Sequence, residues 1–281
     1  METTSLEQLN DLFEKKQLHG MFLIENDVYH SAPGLSRSSL DDLSNGLKYF
    51  QWKLVNKELT ESLIFGSAFH CKILEPKKFD STFYLTKTQP RDPQLDKDGR
   101  QPLAERHLDT INGMIAELKK DPLFEKMTSG IIEHSFFWTD STGALLKAKP
   151  DVILPMGVVV DWKTTQSVNM EEFSKSIFNY RYHSQAAMIL DGIRLALEQS
   201  GQKLPEGYAM PDAFVIAAVE KSDPHDYEFF QLGPQSIVVG EAWYREQLKK
   251  YVMAVTENNW NPQKKIIEIE IPQWAISKEM L

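Results

Sequence analysis

Apolar residues fall at Leu40, Leu43, Leu47, Phe50 and Leu54, opened by the hydroxyl-rich Ser36-Arg37-Ser38-Ser39. That spacing behind a cluster of potential N-caps predicts a helix. Arg37 at its start is either a phosphate contact or a surface charge. A second helix is predicted from Glu61 to Leu74, with Gly66 and His70 on one face, where the glycine lets another backbone approach the imidazole. Spacing alone makes His70 a structural residue. Thr88 to Pro102 is polar and holds Pro90, Pro93, Gly99 and Pro102. It reads as a long mobile loop, either a flap over substrate or a surface insertion. Helical spacing returns from Leu103 to Lys120, and Ile131 to Thr139 reads as one strand with Glu133 and His134 near its start. Val152-Ile153-Leu154 and Val158-Val159-Val160 read as a hairpin turning at Pro155-Met156-Gly157. One or two helices follow from Met170 to Gln199, with Phe173, Ile177, Ala187 and Leu190 supplying the apolar face. Ala213 to Glu220 and Tyr227 to Leu232 read as strands, Ser236 to Glu257 as a helix and Trp260 to Leu281 as a tail. The order predicts an α/β protein with a small mixed central sheet flanked by helices.

The hairpin carries the candidate chemistry. Asp151 and Asp161 are equidistant from Met156, so a hairpin centred there sets them opposite each other. Opposed residues lie on one sheet face with Cβ atoms roughly 4.5 to 5.5 Å apart. Two anions at that distance repel, and a divalent cation removes the conflict. Lys163 stands two residues beyond Asp161, on the same face. Pro150-Asp151 followed by Asp161-Trp162-Lys163 is the residue set that metal-dependent phosphodiester cleavage needs, and carboxylates favour magnesium or manganese. Glu133 is within reach of such a metal. Tyr180-Arg181-Tyr182-His183-Ser184-Gln185 concentrates hydrogen-bonding groups, which either face the metal and phosphate or form an ordinary polar helix turn.

At 281 residues the chain is long enough for one large domain or two small ones, and one is preferred, with a helical region over about 1–128 and a catalytic core over about 129–260. The apolar fraction of 42% argues against general disorder. No run approaches a membrane span, so a soluble, cytoplasmic, bacterial or phage-encoded protein is expected. The single cysteine, Cys71, makes no internal disulfide, fits a reducing compartment and reads as a buried core thiol. A net charge of −9 argues against coating nucleic acid through a basic exterior. It leaves room for a cationic groove, for which Lys147, Lys149, Lys175, Arg181, Arg91 and Arg100 are candidates.

With these residues the chain resembles the PD-(D/E)XK nuclease superfamily, whose core is restriction-endonuclease-like, and within it the RecE-type exodeoxyribonucleases (exonuclease VIII). The similarity runs from Tyr29 to Ala275. Its carriers are Gly34-Leu35-Ser36-Arg37-Ser38-Ser39-Leu40, Phe65-Gly66-Ser67-Ala68-Phe69-His70, Lys149-Pro150-Asp151, Val160-Asp161-Trp162-Lys163-Thr164-Thr165 and Tyr180 to Gln185. The resemblance implies a metal held by His70, Asp151, Asp161 and the Trp162 carbonyl. It implies that Lys163 orients or helps deprotonate the attacking water, and that Gln185, with Tyr182 nearby, positions Lys163 or the scissile phosphate. Asp stands at 161 where the superfamily often has Glu. The resemblance further implies magnesium-dependent 5′→3′ digestion of double-stranded DNA ends, a homotetrameric ring around the DNA, and 3′ tails left for a single-strand annealing protein of RecT type. Two other readings stand beside it. One is a repair or CRISPR-adaptation nuclease on single strands or flaps, many of which need a cysteine cluster that Cys71 alone cannot supply. The other is an inactive nucleic-acid-binding scaffold.

Overall fold

The computed structural model describes residues 3–56, 58–91, 93–263, 266 and 268–271. The end of the predicted tail, 272–281, lies outside the described residues, and so does Ala275. The N-terminal region runs α1 (Leu6–Glu14), β1 (Gly20–Phe22), α2 (Asn26–Ser31), α3 (Arg37–Ser44), α4 (Leu47–Val55) and α5 (Glu61–Leu74). It continues through α6 (Phe79–Thr82), β2 (Phe83–Thr86), β3 (Gln101–Ala104), α7 (Glu105–Leu118) and α8 (Pro122–Met127). Ser36 caps α3 by accepting from the Ser39 backbone N–H, as its hydroxyl cluster predicts. The helix expected through Leu54 is in fact two, because Gly46 adopts φ 120 between them. Thr60 caps α5, whose bounds match the expectation.

The expected 88–102 loop is partly regular. Its end, β3, pairs in parallel with β2. Asp96 builds a turn by accepting from the backbone of Asp98 at 2.9 Å and of Arg100 at 2.8 Å.

The C-terminal half holds β4 (Ile131–Ile132), β5 (Ser135–Thr139), β6 (Leu145–Ala148), β7 (Val152–Leu154), β8 (Val158–Thr165), α9 (Met170–Asn179), α10 (Tyr182–Ser200), β9 (Ala213–Glu220), β10 (Tyr227–Gln231) and α11 (Pro234–Thr256). A five-stranded mixed sheet has the order β10-β9-β8-β7-β4, with β8 and β9 parallel and the other pairs antiparallel. A three-stranded sheet, β1-β5-β6, ties the N-terminal region to this half. The strand expected from Ile131 to Thr139 is therefore two strands in different sheets, separated at Glu133, whose φ of 53 is left-handed.

The β7–β8 hairpin has the predicted register, Val152 opposite Val160 and Ile153 opposite Val159. Gly157 closes the turn at φ 82, donating to the Leu154 carbonyl at 3.1 Å. Alternation along β8 then divides its side chains between two cores. Val159 packs on the face covered by α10, together with Ile153, Phe214 and Ile216. Val160 and Trp162 pack on the other face with Ile64, Phe65 and Phe69 of α5. Asp161 and Lys163 share the parity of Val159 and point toward α10. The mixed sheet flanked by helices is the α/β architecture that the patterning predicts.

Candidate active site

The site forms where the hairpin meets helices from both faces of the sheet. Trp162 is its structural pin. Its ring is wholly buried, 5.7 Å from Phe124 and 6.2 Å from Phe229, and burial of such a side chain stabilises by about 1.5–3 kcal/mol. With the ring held, both backbone groups of Trp162 are placed. Its N–H donates to Asp151 Oδ2 at 2.7 Å, and its carbonyl accepts from His70 Nε2 at 2.7 Å. The other ring nitrogen of His70, Nδ1, stands 3.3 Å from Asp151 Oδ2.

Glu133 completes this side. Its left-handed backbone interrupts the strand, its N–H donates to the Asp151 carbonyl at 3.0 Å, and its carboxylate pairs with Lys149 Nζ at 2.9 Å. His70, Glu133 and Asp151 can each offer one ligand atom such that all lie within 4.8 Å of one another. Imidazole and carboxylate oxygens are the donor set of a divalent cation.

Asp161 stands behind the wall of the cleft, 1% exposed. Gln185 Nε2 donates to its Oδ1 at 2.7 Å, and Lys163 Nζ lies 2.6 Å from its Oδ2. The lysine contact is a charge-assisted pair between two largely buried groups. A divalent cation beside His70, Glu133 and Asp151 fits the site, while the Asp161 carboxylate is taken up by Gln185 and Lys163. Lys163 Nζ also lies 5.2 Å from the centre of the Tyr182 ring.

Ionisation follows from this crowding. Burial alone would lower the basicity of His70, but the adjacent Asp151 carboxylate raises its pKa to about 9. Burial pushes Asp151 up, and His70, Lys163 and the Trp162 N–H outweigh it, holding the carboxyl below its ordinary value. Asp161 is raised, because burial exceeds what Lys163 returns. Glu133 is raised by burial against the pull of Lys149. Burial opposes the charge on Lys163, yet Asp161 and Asp151 together raise its pKa above the lysine norm.

His70, Glu133, Asp151 and Lys163 border a cleft of about 1220 Å³. Of the proposed groove cations, Lys149 and Arg181 line it, whereas Lys175, Arg91 and Arg100 are not among its described lining residues. Lys175 pairs with Glu171 on α9, and Arg100 with Asp96 in the turn. Lys147 is a correction. It is buried, and its ammonium donates to the carbonyls of Tyr29 at 2.7 Å and Ala32 at 2.6 Å, because register in β6 turns it inward. Arg37 lines the cleft, paired with Asp41 and donating to the Tyr180 carbonyl at 3.2 Å. Gly66 also corrects its expectation: a Cβ there would meet nothing within 4 Å, so the glycine opens onto the cleft and no backbone approaches it. Cys71 is half-buried at the cleft wall and not a core thiol. His134 turns to the Ile132 carbonyl at 2.8 Å, and His183 is buried against Phe178, so neither joins the site.

A family model for PDDEXK-like domains of unknown function (DUF3799) matches residues 43–269. A solved structure of a Eubacterium rectale protein described as a "putative exonuclease" superposes with a TM-score of 0.58 at 17% identity, over 87% of this chain and 92% of that chain. At that identity the likeness is one of fold. No curated protein matches the chain.

Proposed function

The chain belongs to the PDDEXK-like family DUF3799, and from that membership we propose that it is a magnesium-dependent 5′→3′ exonuclease of double-stranded DNA, similar to the RecE type. The observation that carries this reading is the convergence of His70, Glu133 and Asp151 within 4.8 Å, beside the Asp161–Lys163 pair, in an open cleft. These three side chains would hold magnesium or manganese, with Asp161 beside them. A bound cation would supply a Lewis acid for the phosphoryl oxygen and acidify water near neutral pH.

The chain's own groups do the rest. Lys163, kept cationic by two carboxylates, donates to the scissile phosphate or the incoming water and neutralises charge building on the phosphoryl oxygens. Gln185 acts through Asp161, holding the carboxylate that holds Lys163. Tyr182 supports the ammonium from its ring face. Water attack on phosphorus with departure of the 3′-oxygen releases 5′-phosphorylated nucleotides. The leftover 3′ strand suits a RecT-type annealing protein, and a homotetrameric ring would retain DNA despite the acidic chain.

Linear duplex labelled at either the 5′ or the 3′ end, followed in one time course with magnesium, tests the reading. The 5′ label should leave first as a mononucleotide while the 3′ label persists. No shortening, or shortening undiminished in Asp151→Asn, overturns it.

A further inference from the structure

Tyr180 is unused by the chemistry above, and its setting is unusual. The residue lines the cleft yet is 61% exposed. One face of its ring is taken. It stacks on Tyr182 with centroids 5.7 Å apart and planes 28° from parallel. Tyr182 lies 6.4 Å from Phe173, and Phe173 stacks on Phe230 at 4.7 Å. Tyr180 is thus the outermost rung of an aromatic ladder rooted in the core. These spacings are those of paired aromatic rings.

The backbone is shaped to place it there. Arg181, between the two tyrosines, has φ 58, a left-handed conformation that is costly for a side chain with a Cβ. The reversal lets rings two residues apart stack, while the Arg181 guanidinium turns away over Phe178 at 4.9 Å and Trp243 at 5.3 Å. Arg37 reaches across to the Tyr180 carbonyl. The next rung inward, Tyr182, carries Lys163 over its ring.

We propose that Tyr180 is a stacking platform for an unpaired nucleobase of the strand being cut. The inference rests on the nuclease reading and specifies its substrate: the nucleotide at the site is peeled out of the duplex. A base inside a duplex already has both faces stacked, so an exposed ring set within the cleft beside the cutting groups suits a base freed from its pair. With Arg37 at the Tyr180 backbone and Lys163 over the next ring inward, both lining the cleft, the platform suits a nucleobase attached to an anionic backbone better than an apolar peptide. Peeling costs least at a frayed or single-stranded end.

The full chain is titrated in EDTA at low salt, so that cutting does not intervene, with a short single strand carrying 2-aminopurine near its 5′ end. Stacking should change the 2-aminopurine emission. Tyr180→Ala should weaken binding by about 5- to 150-fold, the loss typical of one base–aromatic contact, whereas Tyr180→Phe should bind nearly as the parent does. An abasic nucleotide at the same place should erase the difference between parent and Tyr180→Ala. Equal affinity of parent and Tyr180→Ala for the intact strand, loss of binding in Tyr180→Phe, or no binding by any probe overturns the platform. Circular dichroism of each variant confirms that the exposed substitution leaves the fold in place. The two readings fail separately: a stacking signal without magnesium- or manganese-dependent cutting removes the nuclease and keeps the platform, while cutting with an indifferent Tyr180 removes only the platform.

Discussion

Asp161 and Lys163 form a pair in which the acid is almost fully buried and the base is 19% exposed at its side chain. Removing the lysine leaves a carboxylate in a site that already raises its pKa. Lys163→Ala should therefore lower stability by about 3 kcal/mol, the lower end of the range because the lysine is partly solvated. Adding Asp161→Asn should restore most of that loss in urea melts without restoring DNA cutting. Independent, additive losses would contradict the pairing. Glu133 supplies a second test. Glu133→Gln should cut manganese affinity at least about tenfold by calorimetric titration, and unchanged affinity would remove Glu133 from the ligand set. His70 gives a pH dependence in chelator. Its folded pKa of about 9 lies above the ordinary 6.5, so its stabilisation is complete below about pH 6.5 and lost as pH rises through 9. Thermal melts of the parent should fall across that window more than those of His70→Gln. At this scale Asp151, Asp161 and Lys163 are legible in the sequence, since strand alternation and a symmetric hairpin are local rules. Glu133 is named there only as within reach, because its aim depends on a left-handed backbone that donates to the Asp151 carbonyl.

Elements carry the site through a few close approaches. α11 crosses the start of α10 at Gly240, where a Cβ would lie 2.2 Å from the His183 carbonyl oxygen. Gly240→Ala must push the two helices apart, at a cost of about 1–3 kcal/mol. Because Tyr182 and Gln185 sit on that same turn of α10, the variant should lose activity on DNA as well as melting temperature; a variant that melts lower but cuts at the parental rate would separate the helix crossing from the site. The hairpin and α5 follow their predicted bounds because turn residues and an N-cap mark them. The breaks at Gly46, Glu133 and Arg181 are less visible. The predicted 170–199 segment admits one helix or two, and its division comes from Arg181 at φ 58, which no periodicity records.

For the whole molecule, the net charge of −9 bears on how the proposed DNA substrate would be held. Among the described residues no helix is long and apolar enough to cross a membrane. Cations lining the cleft include Lys149, Lys163, Arg181 and Arg37, while Lys147 serves packing instead. A covalently closed circle should therefore survive conditions that consume the same DNA once linearised, and nicking of the circle would point to an endonuclease. Sedimentation should show a particle four times 32.3 kDa if the ring proposal holds. By itself the sequence determined the α/β order, the β7–β8 hairpin and the placing of two acids and a lysine at that hairpin, because periodicity and turn chemistry act over a few residues. Only the tertiary structure decided which acids converge. Trp162, pinned between Phe124 and Phe229, holds His70 and Asp151 through its peptide groups, and the break at Glu133 brings a third candidate ligand beside them. Those contacts join segments far apart in the chain, and packing rather than local pattern sets their distances.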